Sequence, residues 1–506
     1  MAAVKSGEFQ SSINNDSDLP LDGSERVAYL SNRSVKLQKR LGLSHGFVLM
    51  VGLILGSGVF ISPGLIARDT SSPGMLLIIW VFAGIVALLG SLCYCELGCM
   101  FKMSGGNYAN IYNIYGDIPA FLSAWTTCLV IDPSSISTIA LTIGTYFSKP
   151  FYATSEEGET TAKLIAFGVI ILCFLINSVS IKLTNMVQRV VSVTQILSVT
   201  FIIIIGIWQL VKSKAANFHD MFEGSTLNEH SPLHIGIALF GALWSYDGWA
   251  LVNNVIEEIE DVERNLLLTI VTGIPFVIFC YIMSNIAFLS VLNFSQMRES
   301  EAVAIDFIDD AIGVKLSYLM MVLVAFAAFG TLNGTFFTCP RLTMAAAREG
   351  HMPYVFSFLY RKNELPIPAS LLTFVISLLM LLPKASNLNT LILLFSQAQW
   401  LNYTASIFGV VILRYRRPNM ARPFKVFIGI PIIVTIIGLY LVIIPFFRNF
   451  WLAMIMLGFL LLGIPVYLIC VRFSSRWPVC CLNVMDNFNM KVQSTFNMVP
   501  CTKDDK

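Results

Sequence analysis

Two short strings in this 506-residue chain have residue types and spacing that suggest chemistry. One is Gly56, Ser57 and Gly58, with Gly52 and Ile54 just ahead of them; the other is Ser245, Asp247 and Gly248, flanked by Trp244 and Trp249. Each lies in the middle of a long apolar stretch, where a glycine costs about 1 kcal/mol in an ordinary helix interior. Unwinding a helix there frees N–H and C=O groups, which in lipid cost several kcal/mol each unless a ligand, water or protein satisfies them. A zwitterion supplies both partners: its carboxylate accepts from N–H groups at a helix N-terminus, and its ammonium donates to carbonyls at a helix C-terminus. A bound amino acid is such a ligand. Taken alone, Gly56–Gly58 reads equally well as a small-residue packing face between helices. The matching break about 190 residues later, each one opening a set of five apolar spans, shifts the balance toward a midplane substrate site.

Other chemistries find no support in the residues. His45, His219, His230, His234 and His351 lie mostly in or beside expected loops and show no metal-ligand spacing, so neither a metal centre, a cofactor site nor an enzyme is expected. A channel would need a continuous polar or charged pore lining rather than two broken helices around one site. The acidic strip Glu257, Glu258, Glu260, Asp261 and Glu263 reads as a solvated loop face at the cytoplasmic end of the sixth span, with an inner gate of Glu258 against loop arginines as the alternative. Asp132, inside the third span and just before Pro133, is an intramembrane charge that costs at least about 2.5 kcal/mol on insertion scales and so normally faces a partner or an aqueous path. Its alternative role is to cap a local helix break.

The elements that must position these residues follow from composition. The chain is 56% hydrophobic and 13% charged with a net charge of +2, whereas soluble domains are about one quarter charged. No basic run or aromatic–basic interleaving suggests nucleic acid. About twelve stretches are long and apolar enough to span the hydrocarbon: 44–67, 75–99, 118–147, 162–181, 187–211, 233–258, 266–292, 316–346, 368–384, 388–413, 427–447 and 449–471. Lys and Arg number about 19 in the loops on the side of the N-terminus against about 9 opposite, which predicts both termini in the cytoplasm. The expected organisation is a disordered N-terminal tail over 1–43, a ten-helix core over 44–413, two accessory spans over 414–471 and a C-terminal tail over 472–506. The fold class is therefore all-α integral membrane, a five-plus-five inverted repeat whose first and sixth spans are broken.

Several strings in order carry a resemblance. GSGVFISPG at 56–64, YCELG at 94–98, SGGNYANIY at 104–112 and ALWSYDGWALVN at 242–253 are followed by NGT at 333–335, AREGHMP at 347–353 and LRYRRPNMARPFKV at 413–426. Over residues 38–475 the sequence resembles the light-chain, or L-type, amino acid transporters of the amino acid-polyamine-organocation superfamily. The resemblance implies the inverted-repeat fold with two extra helices, sodium-independent transport and, commonly, obligatory exchange; the expected location is the plasma membrane. Carried over by residue, it places Ile54, Gly56, Ser57, Gly58, Trp244, Ser245, Asp247 and Gly248 at the substrate, with Trp244 as an aromatic gate. The WSYDGW string resembles the subtype that takes neutral and cationic amino acids plus cystine.

Three positions depart from that pattern. Relatives of this branch join a single-pass heavy chain through a cysteine in the loop after the third span, and Ser155 stands at that place, which speaks against a disulfide-linked heavy chain. Asp132 stands where many relatives have Arg or Lys. Gln195 replaces a common family lysine and leaves no titratable amine there. Asp132, Gln195 and Asn333 are thus candidate pathway residues. The expected function is sodium-independent exchange of neutral, and by extension cationic, amino acids. The alternatives are a transporter-derived sensor without significant flux and a facilitative uniporter.

Overall fold

The structure, a computed structural model, describes residues 39–501 apart from 40, 150, 153–155, 213–217, 219–220, 224–231, 301, 384–386 and 474–476. Of the tail expected over 1–43, residues 1–38 and 40 lie outside the described residues, as does Ser155. The chain is almost wholly helical. In order the helices are α1 (Leu43–Ile54), α2 (Gly58–Arg68), α3 (Pro73–Phe101), α4 (Gly106–Tyr115), α5 (Asp117–Thr126), α6 (Asp132–Ser148), α7 (Glu156–Val179), α8 (Ile181–Lys212), α9 (Pro232–Ser245) and α10 (Val262–Val291). They continue as α11 (Phe294–Glu299), α12 (Val303–Ala311), α13 (Val314–Arg348), α14 (Ile367–Leu381), α15 (Leu388–Arg416), α16 (Gly429–Ile443), α17 (Pro445–Arg448), α18 (Phe450–Tyr467) and α19 (Val479–Phe496).

Among the described residues, nine helical segments are long and apolar enough to cross a membrane. The three other expected spans coincide with α9, α14 and α15. The first two have 14 and 15 residues, and α15 has 29 but a face of Gln, Asn, Thr and Ser, so length and hydropathy alone do not reach twelve. Bulky apolar side chains stay exposed along the outer faces, as Leu197 and Ile204 do on α8 and Trp451 and Ile455 on α18. A long apolar stripe facing outward is what a lipid solvent permits and water does not.

Local sequence sets the ends and bends. Pro73 opens α3 behind Ser72, whose hydroxyl accepts from the Met75 N–H at 3.3 Å. Asn387 does the same for α15 through the Thr390 N–H at 2.9 Å. The third span stays continuous from Asp117 to Ser148 but widens into a π turn over Thr127–Ile131 just ahead of Pro133. Proline lacks the N–H and crowds the preceding turn, and the wider turn relieves both.

The centre of the bundle is α13, packed against α6, α8 and α1. Both described termini lie at one end. Leu41 exchanges backbone hydrogen bonds with Glu258 and Glu260 at 2.9 and 3.0 Å. At the same end, β1 (Phe358–Tyr360) and β2 (Met498–Pro500) form a two-stranded antiparallel ladder. The segment 472–506, expected as a tail, thus contains both α19, whose Met485, Phe488, Val492 and Phe496 follow a helical period, and β2, which is too short to show one.

Candidate functional site

The two glycine-containing strings are breaks. The first span stops at Ile54 and restarts at Gly58, and the sixth stops at Ser245, turns through Tyr246–Ala250 and continues as a 3-10 helix over Leu251–Glu258. The breaks press together: a Cβ on Gly58 would lie 2.6 Å from Ser245 Cα, and Gly248, at φ 111°, sits against Leu53. Only glycine permits either approach.

Breaking the helices leaves backbone groups to account for. The N–H groups of Ser57, Gly58 and Val59 precede the first hydrogen-bonded turn of α2 and have no backbone carbonyl partner. At the opposing C-terminal ends, the carbonyls of Ile54 and Ser245 share one donor, the Tyr281 hydroxyl of α10, at 2.5 and 2.8 Å. Ser245 Oγ lies 2.6 Å from Ser62 Oγ, a second tie between the two broken helices.

Around these ends lies a small cavity of about 30 Å³. It is lined by all eight residues expected at a substrate: Ile54, Gly56, Ser57, Gly58, Trp244, Ser245, Asp247 and Gly248. The other walls are Leu53, Leu251, Ser135 and Ile139 of α6, and Thr331 and Thr335 of α13. Asp247 Oδ1 accepts from Tyr403 Oη of α15 at 2.6 Å, and Trp244 is buried in an apolar group that includes Ile131 and Phe395. One wall therefore presents N–H donors at a helix N-terminus, and another presents carbonyl ends beside a carboxylate. An anion and a cation on one small molecule fit that pair of walls.

The candidate pathway residues do not line the cavity. Gln195, fully buried, donates through Nε2 to Ala327 O at 2.8 Å and Gly52 O at 3.1 Å, pinning α1 to α13. Asn333 is held in a buried amide chain between Asn177 and Gln188, at 3.0 and 2.8 Å. Asp132 is buried beneath the cavity wall, one turn from Ser135. Sequence reasoning missed Tyr281, Tyr403 and the α6 and α13 walls. A signal existed for the walls: Ser135 with Ile139, and Thr331 with Thr335, are each four apart and so share a helix face.

The acidic strip is not the solvated face expected of it. Glu258 is 4% exposed and pairs with the equally buried Arg341 at 3.2 Å. Glu257 takes both Arg348 nitrogens, at 2.9 and 3.1 Å, and the Ser104 N–H at 2.9 Å. Both arginines belong to the last turns of α13, not to a loop, which is why hydropathy placed them in water. Glu263 does fit the expectation, pairing with Lys102 at the surface.

The amino acid permease family profile matches residues 41–472. The chain is similar to the human b(0,+)-type amino acid transporter 1, with 35% identity across 93% of this chain and 95% of that protein. It is 31% identical to the human cystine/glutamate transporter, across 94% and 93%. It is 34% identical to the mouse large neutral amino acids transporter small subunit 2, across 90% and 85%. With the broken helices and the lipid-facing bundle, these likenesses make the chain a multi-pass membrane transporter of amino acids, not an enzyme, and a member of the light-chain branch of the amino acid permease family.

Proposed function

We propose that the protein exchanges amino acids across the plasma membrane without sodium, and that the cavity between the two broken helices is where the substrate binds. One observation carries this reading: Ser57 and Gly58, whose N–H groups have no backbone partner among the described residues, line the same cavity as Ile54 and Ser245, whose carbonyls end the opposing helices. The substrate carboxylate accepts from the α2 end and the ammonium donates to the α9 end, where the Ser245 carbonyl keeps a lone pair beyond the one Tyr281 uses; the Ile54 carbonyl of α1 already accepts from both Tyr281 and the Gly56 N–H. Trp244 closes over the site, and Asp247 makes its carbonyl side negative. Neutral and cationic amino acids are carried, and acidic ones are excluded because a like charge in a poorly solvated site costs several kcal/mol. Both termini, and with them the Glu257–Arg348 and Glu258–Arg341 pairs, lie on the cytoplasmic side.

A labelled panel offered to vesicles containing the purified protein tests this. Leucine and lysine are taken up without sodium and glutamate is not; efficient glutamate uptake contradicts the charge argument, and a sodium requirement contradicts the coupling. No flux for any member of the panel, with amino acid still bound, indicates a sensor. With Ser155 at the aligned position, no heavy chain is joined by a disulfide. On a non-reducing gel of cell membranes the chain runs without a thiol-reducible partner band, and a reducible complex of about twice the mass refutes this.

A further inference from the structure

The α6–α13 seam that walls the cavity continues beneath it. Ile139 and Ser135 on α6, and Thr331 and Thr335 on α13, face the cavity. Residues three and four apart share a helix face, so the stripe on α6 runs on to Asp132 and the stripe on α13 to Cys339. The two meet: the Cys339 thiol lies beside the Asp132 carboxylate. One turn deeper, Cys128 Sγ and Thr343 Oγ1 are 3.2 Å apart and close the seam. Asp132 therefore lies one helical turn beyond the cavity wall, at the end of a π turn, a distortion frequent at functional positions.

Its environment does not satisfy it. Asp132 is 3% exposed, and its Oδ2 has no hydrogen-bond partner. Among the described residues no Lys, Arg or His pairs with it, and the helix that opens at Asp132 has no side-chain cap hydrogen bond. An intramembrane carboxylate with an orphan oxygen is stabilised by a cation delivered to it. Asp247 already spends Oδ1 on Tyr403, whereas Asp132 has an oxygen free.

We propose that Asp132 is the subsite for a cationic side chain. The ammonium of lysine or the guanidinium of arginine passes down the α6–α13 seam to its carboxylate while the common amino acid groups stay at the broken helix ends. This rests on the amino acid reading of the cavity. Asp132→Asn keeps the shape and removes the charge: in vesicles the KM for lysine rises about tenfold while that for leucine stays within about twofold, and Asp132→Glu restores most of the lysine affinity. Lysine and leucine shifting together, or lysine unchanged, overturns the proposal. Should the Asn variant not fold, competition on the unmodified protein decides. Lysine inhibits leucine uptake about tenfold better than 6-hydroxynorleucine, the same chain with a hydroxyl in place of the ammonium; equal inhibition overturns the proposal. Leucine uptake without lysine recognition defeats only the subsite, whereas loss of all amino acid uptake and binding defeats the site itself.

Discussion

Tyr281 holds the two breaks together through a single hydroxyl, which serves the Ile54 and Ser245 carbonyls at once. Tyr281→Phe removes that donor while keeping the ring that packs on Trp80 and Tyr246. Leaving a buried acceptor short of its donor costs about 1–3 kcal/mol, and both affected carbonyls border the cavity. The expected outcome is a fall of about tenfold in uptake, equal for leucine and lysine because the groups affected are common to all substrates, with the amount of protein in the membrane unchanged. A loss confined to lysine would show that Tyr281 acts on side chains instead. At this scale the sequence was informative for residues on the broken strings and silent for their partners. Tyr281 lies inside an unbroken apolar span, Tyr403 inside another, and nothing in the local pattern separates a tyrosine that serves a distant carbonyl from one that fills space.

The helix breaks themselves were legible because their cost is local. A glycine cluster or a buried Ser-Tyr-Asp-Gly string is costly wherever it sits in lipid, so it stands out without knowledge of the fold. The closeness of the breaks gives a sharp test. Gly58→Ala puts a Cβ 2.6 Å from Ser245 Cα, a contact the backbone must move to relieve, whereas Gly168→Ala on α7 meets nothing within 4 Å. Transport should therefore be lost in Gly58→Ala and retained in Gly168→Ala, measured at matched protein density; retained transport in Gly58→Ala would mean that the two broken helices do not need this approach. The Glu258–Arg341 and Glu257–Arg348 pairs were not legible. Each joins residues about 83 or 91 positions apart, and a charge next to a span end looks the same in sequence whether it meets water or a partner. The π turn at Thr127–Ile131 was half legible, since Pro133 announces a disturbance but not its form.

Across the whole molecule, the alternation of apolar spans and charged loops showed an all-α membrane bundle, and the order of seven strings placed it in its family. Length and hydropathy fall short of twelve spans because α9 ends at its break and α15 carries polar groups toward the site. The β1–β2 ladder, joining residues 358–360 to 498–500, is a long-range pairing of three residues each and leaves no periodic trace. On the proposed function, access changes around a substrate held between the two breaks. Emptying the site strands the N–H groups of Ser57 and Gly58, so on the proposed reading the empty carrier reorients slowly and the loaded one quickly. Efflux of labelled leucine from vesicles of purified protein measures this most directly. The rate should rise several-fold when unlabelled leucine is placed outside, and an equal rate into amino-acid-free buffer would contradict exchange.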